Sequence, residues 1–362
     1  MTETKVDFLN AGGERQGEVA AALNHQIDPA FYRPFIDEAS GKSLVSVYKG
    51  AGDRKDPKSY KTIQTNTNGV LRREEWQQLD AAIIPASESR LNGIQSLIAR
   101  GLVYNLGNAM GTTVLETHDQ SDAFEAELTM DGVTRTKGDR LEFGAVYLPL
   151  PIIHVDYEIN SRVLEASRRL GNPLDTSSAE RAARKVSEKL EQMLFSNAKY
   201  SFGGGTIHSY LNFPHRNTLT ILPWTDTGVT GRNIVDMVLG MKQASINNLH
   251  YGPWELYIPT AYETLLDEDY DTSGASTQTI RERILKIAGL LDVKVIDTLP
   301  VNNVVLVQMS VNTVRLVRGM GITNVQWSTQ GNMLHQYKVM TIQVPQIRAD
   351  HNQKSGIVHA SG

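Results

Sequence analysis

Apolar residues after Arg72 recur at three-to-four spacing, with Trp76, Leu79 and Ile83 followed by Leu91, Ile94, Leu97 and Ile98. This period predicts a helix broken near Pro85 and then resumed. The period next drops to two. In FEAELTMDG, Phe124, Ala126, Leu128 and Met130 alternate with Glu125, Glu127, Thr129 and Asp131, and Asp131-Gly132 is a turn signal. Lys137-Gly138-Asp139 then precedes RLEFGAVYL, which alternates again. Residues 113–148 therefore read as a long two-stranded excursion with no core of its own. Such a hairpin is marginal in water, and a neighbouring protomer is the natural surface for it to lie on.

The segment IIHVDYEI places Ile153, Val155, Tyr157 and Ile159 on one side and His154, Asp156 and Glu158 on the other, as in a strand with one wet face. A strong helix follows over 175–198. Its stripe is Ala179, Ala182, Ala183, Val186, Leu190, Met193, Leu194 and Ala198, with Ser177 and Glu180 as a capping box and Arg184 and Glu188 paired on the far face. It runs towards Gly203-Gly204-Gly205. Beyond it, NIVDMVLGMKQASINNL and TIRERILKIAGLL read as helices, while WELYIPT, VKVID, VVLVQM and TVRLVRG read as short buried strands between them. That alternation predicts an α/β layer over about 230–318. Strand character returns in MLHQYKVMTIQVPQIRAD.

Composition narrows the function. The 362 residues allow one large or two medium domains, since single cores stop growing near ~250–300 residues. No apolar run approaches the roughly 18 residues of a membrane helix, and MTETKVDFLNAGGERQG lacks a secretory h-region, so cytoplasmic synthesis is expected. With no cysteine, disulfide frameworks, thiolate metal sites and cysteine nucleophiles are excluded. A net charge of -4 gives no bulk field for nucleic acid. Lys42–Arg73 nevertheless carries eight Lys/Arg against two Asp. Residues 1 to about 70 read as an extended arm, with Lys49, Arg54, Lys55, Lys58 and Lys61 as solvated or phosphate-facing cations.

Familiar catalytic patterns fail one by one. Gly41-Lys42-Ser43 has Ile36 where a P-loop needs its first glycine. The glycine triplet follows a helix, whereas phosphate cradles precede one, so it reads as a chain reversal using positive φ. Asp267, Asp269 and Asp271 match the first positions of a calcium loop, but Thr272 and Gln278 stand where glycine and glutamate belong. The histidines form no HExxH, and no GxSxG elbow occurs. No catalytic residue, metal or cofactor is assigned, and a non-enzyme is expected.

The ordered set of EEWQQLDAAIIPASESRLNGIQSLIARGLV, the acidic hairpin, LPLPIIHVDYEIN, SSAERAARKVSEKLEQMLF, GGGTIHSYLN, YGPWELYIPTAYETLL, VKVIDTLPVNNVVLVQMS and KVMTIQVPQIRAD resembles the major capsid proteins of tailed phages of the Hong Kong 97 type and the related encapsulins. The likeness runs from about residue 72 to 350. It implies an α+β capsid fold with an N-terminal arm (1–71), a P-domain helix region (72–112), an extended E-loop (113–150) and a P-domain with its spine helix (151–229). An α/β A-domain (230–318) and returning P-domain strands with the C-terminus (319–362) complete the expected order.

On that resemblance the E-loop residues Phe124, Leu128, Met130 and Lys137 make contacts between protomers, and Gly203, Gly204 and Gly205 mark a hinge leaving the spine. The basic arm is DNA-facing or interwoven. The implied partners are copies of the chain in hexamers and pentamers, non-specifically packed double-stranded DNA, and separate scaffolding, portal and decoration proteins, with no membrane. The implied location is the virion, assembled in the host cytoplasm. An encapsulin-like compartment holding a cargo enzyme and a soluble α/β enzyme stand as alternatives. The family's lysine-to-asparagine crosslink would draw on Lys137 and Asn352, for which surface polarity is a sufficient account.

Overall fold

The computed structural model describes residues 33–49, 59–64, 69–88, 92–107, 110–120, 130, 143–170, 175–197, 199–270, 278–330, 333–350 and 352–362. Strands β1 (Phe35–Ile36), β2 (Ser43–Tyr48) and β3 (Tyr60–Gln64) precede helices α1 (Arg73–Glu88) and α2 (Asn92–Ala99). Then come β4 (Val103–Asn105), β5 (Val114–Gln120), β6 (Phe143–Pro149), β7 (Ile153–Asn160), α3 (Ser161–Leu170) and α4 (Ser177–Phe195). Next are β8 (Tyr200–Phe202), β9 (Gly205–Ile207), β10 (Asn217–Thr220), α5 (Gly231–Asn247) and β11 (Trp254–Pro259). The chain finishes with α6 (Ile280–Leu285), β12 (Leu290–Ile296), β13 (Asn303–Gln308), β14 (Val314–Gln330), β15 (Leu334–Ile347) and β16 (Ile357–Ser361).

The spine α4 forms where its stripe predicts. Ala179, Ala182, Ala183, Val186, Leu190 and Leu194 are buried, and the small residues let α1 lie along it through Trp76, Leu79 and Ile83. The helix, Ser177–Phe195, lies inside the expected 175–198, and its N-cap is Thr176 rather than the Ser177 of the expected capping box. Thr176 Oγ1 donates to Glu180 at 2.8 Å, and Asp175 accepts the Ser177 N–H at 3.0 Å. Glu188 pairs with Lys185 rather than Arg184, at 2.7 Å. Beneath α1 and α4 lies a four-stranded sheet in the order β4-β14-β15-β7, with Tyr157, Ile159, Tyr337 and Val339 facing the helices.

Helix α1 runs through Pro85 to Glu88, contrary to the expected break at the proline. Only one turn remains beyond that position, so the one backbone bond a proline forfeits does not end the helix. At its start Glu75 accepts the Arg72 N–H at 2.8 Å, closing the first turn, and takes both Nε and Nη2 of Arg168 from α3 at 2.8 Å. Burial opposes the charge on Glu75, but the Arg168 and Arg72 contacts together hold its carboxyl below the ordinary range.

The A-domain differs from its expected bounds. Its five-stranded sheet has the order β10-β16-β13-β11-β12, so β10 and the C-terminal β16 belong to it, and β14 does not. TVRLVRG instead opens β14, which pairs with β15 over almost its whole length. The second expected helix stops at Leu285, and the apolar residues that follow begin β12. Side chains alternate across this sheet. Trp254, Leu256, Ile258, Val304, Leu306, Val358 and Ala360 face α5 and α6, while Tyr257, Val305, Val307 and Ile357 face the spine side. A single core thus joins the A-domain to α2, α4 and β14.

The region read as an extended arm is folded where it is described. β1, β2 and β3 form an antiparallel meander, held to the P-domain by Ile36 N–H on Leu71 O, Arg33 on Asp80 and Trp76 Nε1 on Pro34 O. Lys49 and Lys61 are exposed, while Arg54, Lys55 and Lys58 lie outside the described residues.

Candidate assembly surface

Strands β5 and β6 pair from Val114↔Pro149 to Gln120↔Phe143 and join no other sheet. The ladder's apolar anchorage lies at its base, with one further tie at Thr117, whose Oγ1 accepts from Gln346 of β15 at 3.2 Å. Leu148 and Leu150 are buried with Ile207, Met320, Met340, Ile342 and Val344, whereas Val146 is 41% and Tyr147 40% exposed a residue or two further out. The described part of the ladder therefore carries apolar surface outward from its root. Of its predicted contact residues, Met130 is fully exposed, and Phe124, Leu128 and Lys137 lie outside the described residues.

The glycine triplet has a different setting from the one the resemblance implied. Gly203 (φ 58°) and Gly204 (φ 81°) form the two-residue turn of the β8–β9 hairpin, in which two positive φ values suit a primed turn. Gly205 then passes against β6, where a Cβ would run into the Tyr147 carbonyl and come within 3.0 Å of Pro149. The triplet thus abuts the E-loop root, not the end of the spine at Phe195. Gly205→Ala is expected to cost about 2 kcal/mol, as overpacking against backbone does. Gly144→Ala, with nothing within 4 Å of its Cβ, is expected to be close to neutral. Urea midpoints check both.

On the same small hairpin Tyr200 and Phe202, two residues apart and so on one side, are both exposed, Phe202 at 55%. Further apolar groups protrude from the A-domain. Leu249, Tyr251, Leu285 and Leu291 stand where β11 and β12 begin, and Leu222 and Val301 stand at the opposite end of the sheet. These are surfaces that a self-associating protein would cover.

Chemistry is sparser than surface. A cleft of about 450 Å³ beside the E-loop root is lined by His208, His215, Gln346, Arg348 and Asp350 among others. Asp350 is engaged by the Lys354 N–H at 2.7 Å, and burial lowers the His208 pKa. Ser161 Oγ and His335 Nε2 lie 2.7 Å apart where β7 becomes α3, and the Ser161 N–H also donates to Met333 O, which gives the pair a role at that joint. His359 takes the Arg216 Nε–H on Nδ1 and so offers Nε2 to Asn303; burial lowers its pKa to about 4. Among the described residues no group of three acidic or histidine side chains could hold a metal, and no helix is long and apolar enough to cross a membrane. In the acidic loop Asp267 pairs with Arg281 at 3.0 Å.

This geometry matches known shells. The diheme-cytochrome-encapsulin shell fusion protein of Kuenenia stuttgartiensis is 25% identical over 65% of this chain and 61% of its own length, so the match spans less than two thirds of that protein. A virus-like particle from Pyrococcus furiosus superposes with a TM-score of 0.58 at 15% identity, over 80% of this chain and 100% of its own. The capsid of Myoviridae phage XM1 gives 0.55 at 10% identity, over 73% and 90%. The α+β fold is the Hong Kong 97 type that the ordered motifs resemble, shared by phage capsids and encapsulin-like shells. A model described as a family of unknown function, DUF6260, matches residues 65–360, and the chain belongs to that family.

Proposed function

We propose that this chain is a structural, non-catalytic shell protein, and that the shell is the icosahedral head of a tailed phage around double-stranded DNA. The carrying observation is the E-loop ladder, rooted at Leu148 and Leu150 and exposed from Tyr147 outward, on a capsid fold. A ladder of this kind gains its second face from another copy, and obligate interfaces of roughly 2,000 Å² or more supply what it lacks. The cationic stretch from Lys42 to Arg73 suits contact with packed phosphates without base readout. In this reading the copies form hexamers and pentamers, scaffolding, portal and decoration proteins act with them, and assembly in the host cytoplasm yields the virion. A cargo-holding compartment is the second reading, favoured by the sequence relative from Kuenenia stuttgartiensis, an encapsulin shell fusion.

Light scattering with absorbance at two wavelengths, applied to particles from expressing or infected cells, tests this. Megadalton particles containing DNA are the expected result. Empty particles with a co-purifying protein would favour the compartment, and a stable small oligomer made in the presence of any scaffolding partner would overturn both.

A further inference from the structure

One carboxyl is buried where the end of the spine, the start of α2 and the inner face of the A-domain sheet meet. Glu191 of α4 is 4% exposed. Its Oε1 accepts the Gly93 N–H at 3.0 Å in the first turn of α2, and its Oε2, equally enclosed, meets no donor. The packing leaves little room for the side chain to swing away. A Cβ on Gly93 would lie 2.5 Å from the Phe195 ring and 3.4 Å from Glu191 Oε1.

Among the described residues, the surrounding groups offer no compensating charge. From α2 come Ser96, whose Oγ is enclosed beside the Tyr257 hydroxyl, and Arg100 just past its end, which places Nε and Nη2 on Glu255 Oε1 at 3.2 and 3.0 Å. From β11 come Glu255, 1% exposed, and Tyr257, whose hydroxyl donates to Glu255 Oε2 at 2.9 Å. Tyr210 adds a buried hydroxyl without a partner, and Asp297 approaches from the end of β12. On the spine itself Ser187 Oγ is turned back onto Ala183 O at 3.0 Å. The cation in this set, Arg100, is thus already bound to a different carboxylate.

We propose that Glu191 is a proton-operated latch between the spine, α2 and the A-domain. Protonated, it is a neutral wedge accepting from α2. Ionised, it is a buried charge with Oε2 unpaired and Asp297 nearby, and it loosens the joint so that the A-domain can shift against the spine. Burial pushes this carboxyl up to about 7, overcoming the pull of the Gly93 and Ile94 N–H groups, and Asp297 acts in the same direction as burial. The folded chain therefore holds a proton that the unfolded chain releases near the ordinary 4.5. The stabilisation is full below that value and is lost as pH rises through about 7. The whole interval corresponds to roughly three-hundredfold in the folding equilibrium.

Thermal unfolding of the full chain between pH 5.5 and 8.5, with and without Glu191→Gln, tests the latch. The parent is expected to lose about 2 °C between pH 6 and 8, and the variant to lack that component. Amide exchange at residues 92–97, corrected for intrinsic rate, is expected to accelerate over the same interval in the parent alone. Parallel curves for parent and variant would overturn the latch, because a merely structural carboxyl shifts stability equally at every pH. Glu191→Met repeats the comparison without the amide's own unpaired donors. Should neither variant fold, unchanged exchange at 92–97 in the parent between pH 6 and 8 would overturn the latch, and accelerated exchange would support it. These readings are made on free chain or particle alike, so they are independent of whether the chain forms a shell.

Discussion

Replacing residues 121–142 with Asn-Gly is expected to give a protein that folds and does not close into shells. The ladder ends at Gln120↔Phe143, and a two-residue primed turn can join strands in that register. Nothing that anchors the root is removed, since Leu115, Leu148 and Leu150 stay with Ile207, Met340, Ile342 and Val344. The loss falls on surface that a neighbour would cover. Light scattering should move from megadalton particles to small species, with circular dichroism and the urea midpoint close to the parent. Particles of normal mass and yield would show that the excursion is dispensable for closure and would remove the main support for its assembly role.

The returning strand of the excursion was legible in the alternation of RLEFGAVYL, whereas the FEAELTMDG alternation and both turn signals lie outside the described residues. The spine was legible for a similar reason. Its Ala179-to-Leu194 stripe is long, continuous and made of good helix formers. Sheet membership was not legible. β16 is five residues long, and its partners are β13, about fifty residues earlier, and β10, about 140 residues earlier, a choice no local pattern encodes. TVRLVRG misled because a strand buried on both faces reads the same in either sheet.

Two further features left faint signals. Tyr200-Ser201-Phe202 and Gly205-Thr206-Ile207 flank Gly203-Gly204 as two strands flank a primed turn, which would have placed the triplet in a hairpin and not at the exit of the spine. Glu191 resembles its neighbour Glu188 in composition. Only its position, four residues after Ser187 and between Leu190 and Leu194, sets it on the buried side.

The joint that Glu191 occupies should also be the place where the two halves of the core are most easily uncoupled. Phe195, the last residue of the spine and fully buried, meets Tyr210 edge-on at 5.3 Å and Tyr257 at 5.0 Å, so one ring links α4, the segment after β9 and the A-domain sheet. Phe195→Ala is expected to cost about 4 kcal/mol, the upper part of the range for a buried aromatic, because two ring pairs are lost and the facing tyrosines cannot collapse into the gap. Trp224, stacked on Tyr262 at 4.9 Å in the outer layer of the A-domain, makes a comparison of similar size away from the joint. Trp224→Ala should lower the urea midpoint while fluorescence and circular dichroism still report one transition. Phe195→Ala should separate them, since the β10-β16-β13-β11-β12 sheet keeps its own helical cover when its inner face is loosened. Coincident transitions in both variants would mean that the A-domain and spine form one cooperative unit, in which the joint is no weaker than the layers on either side.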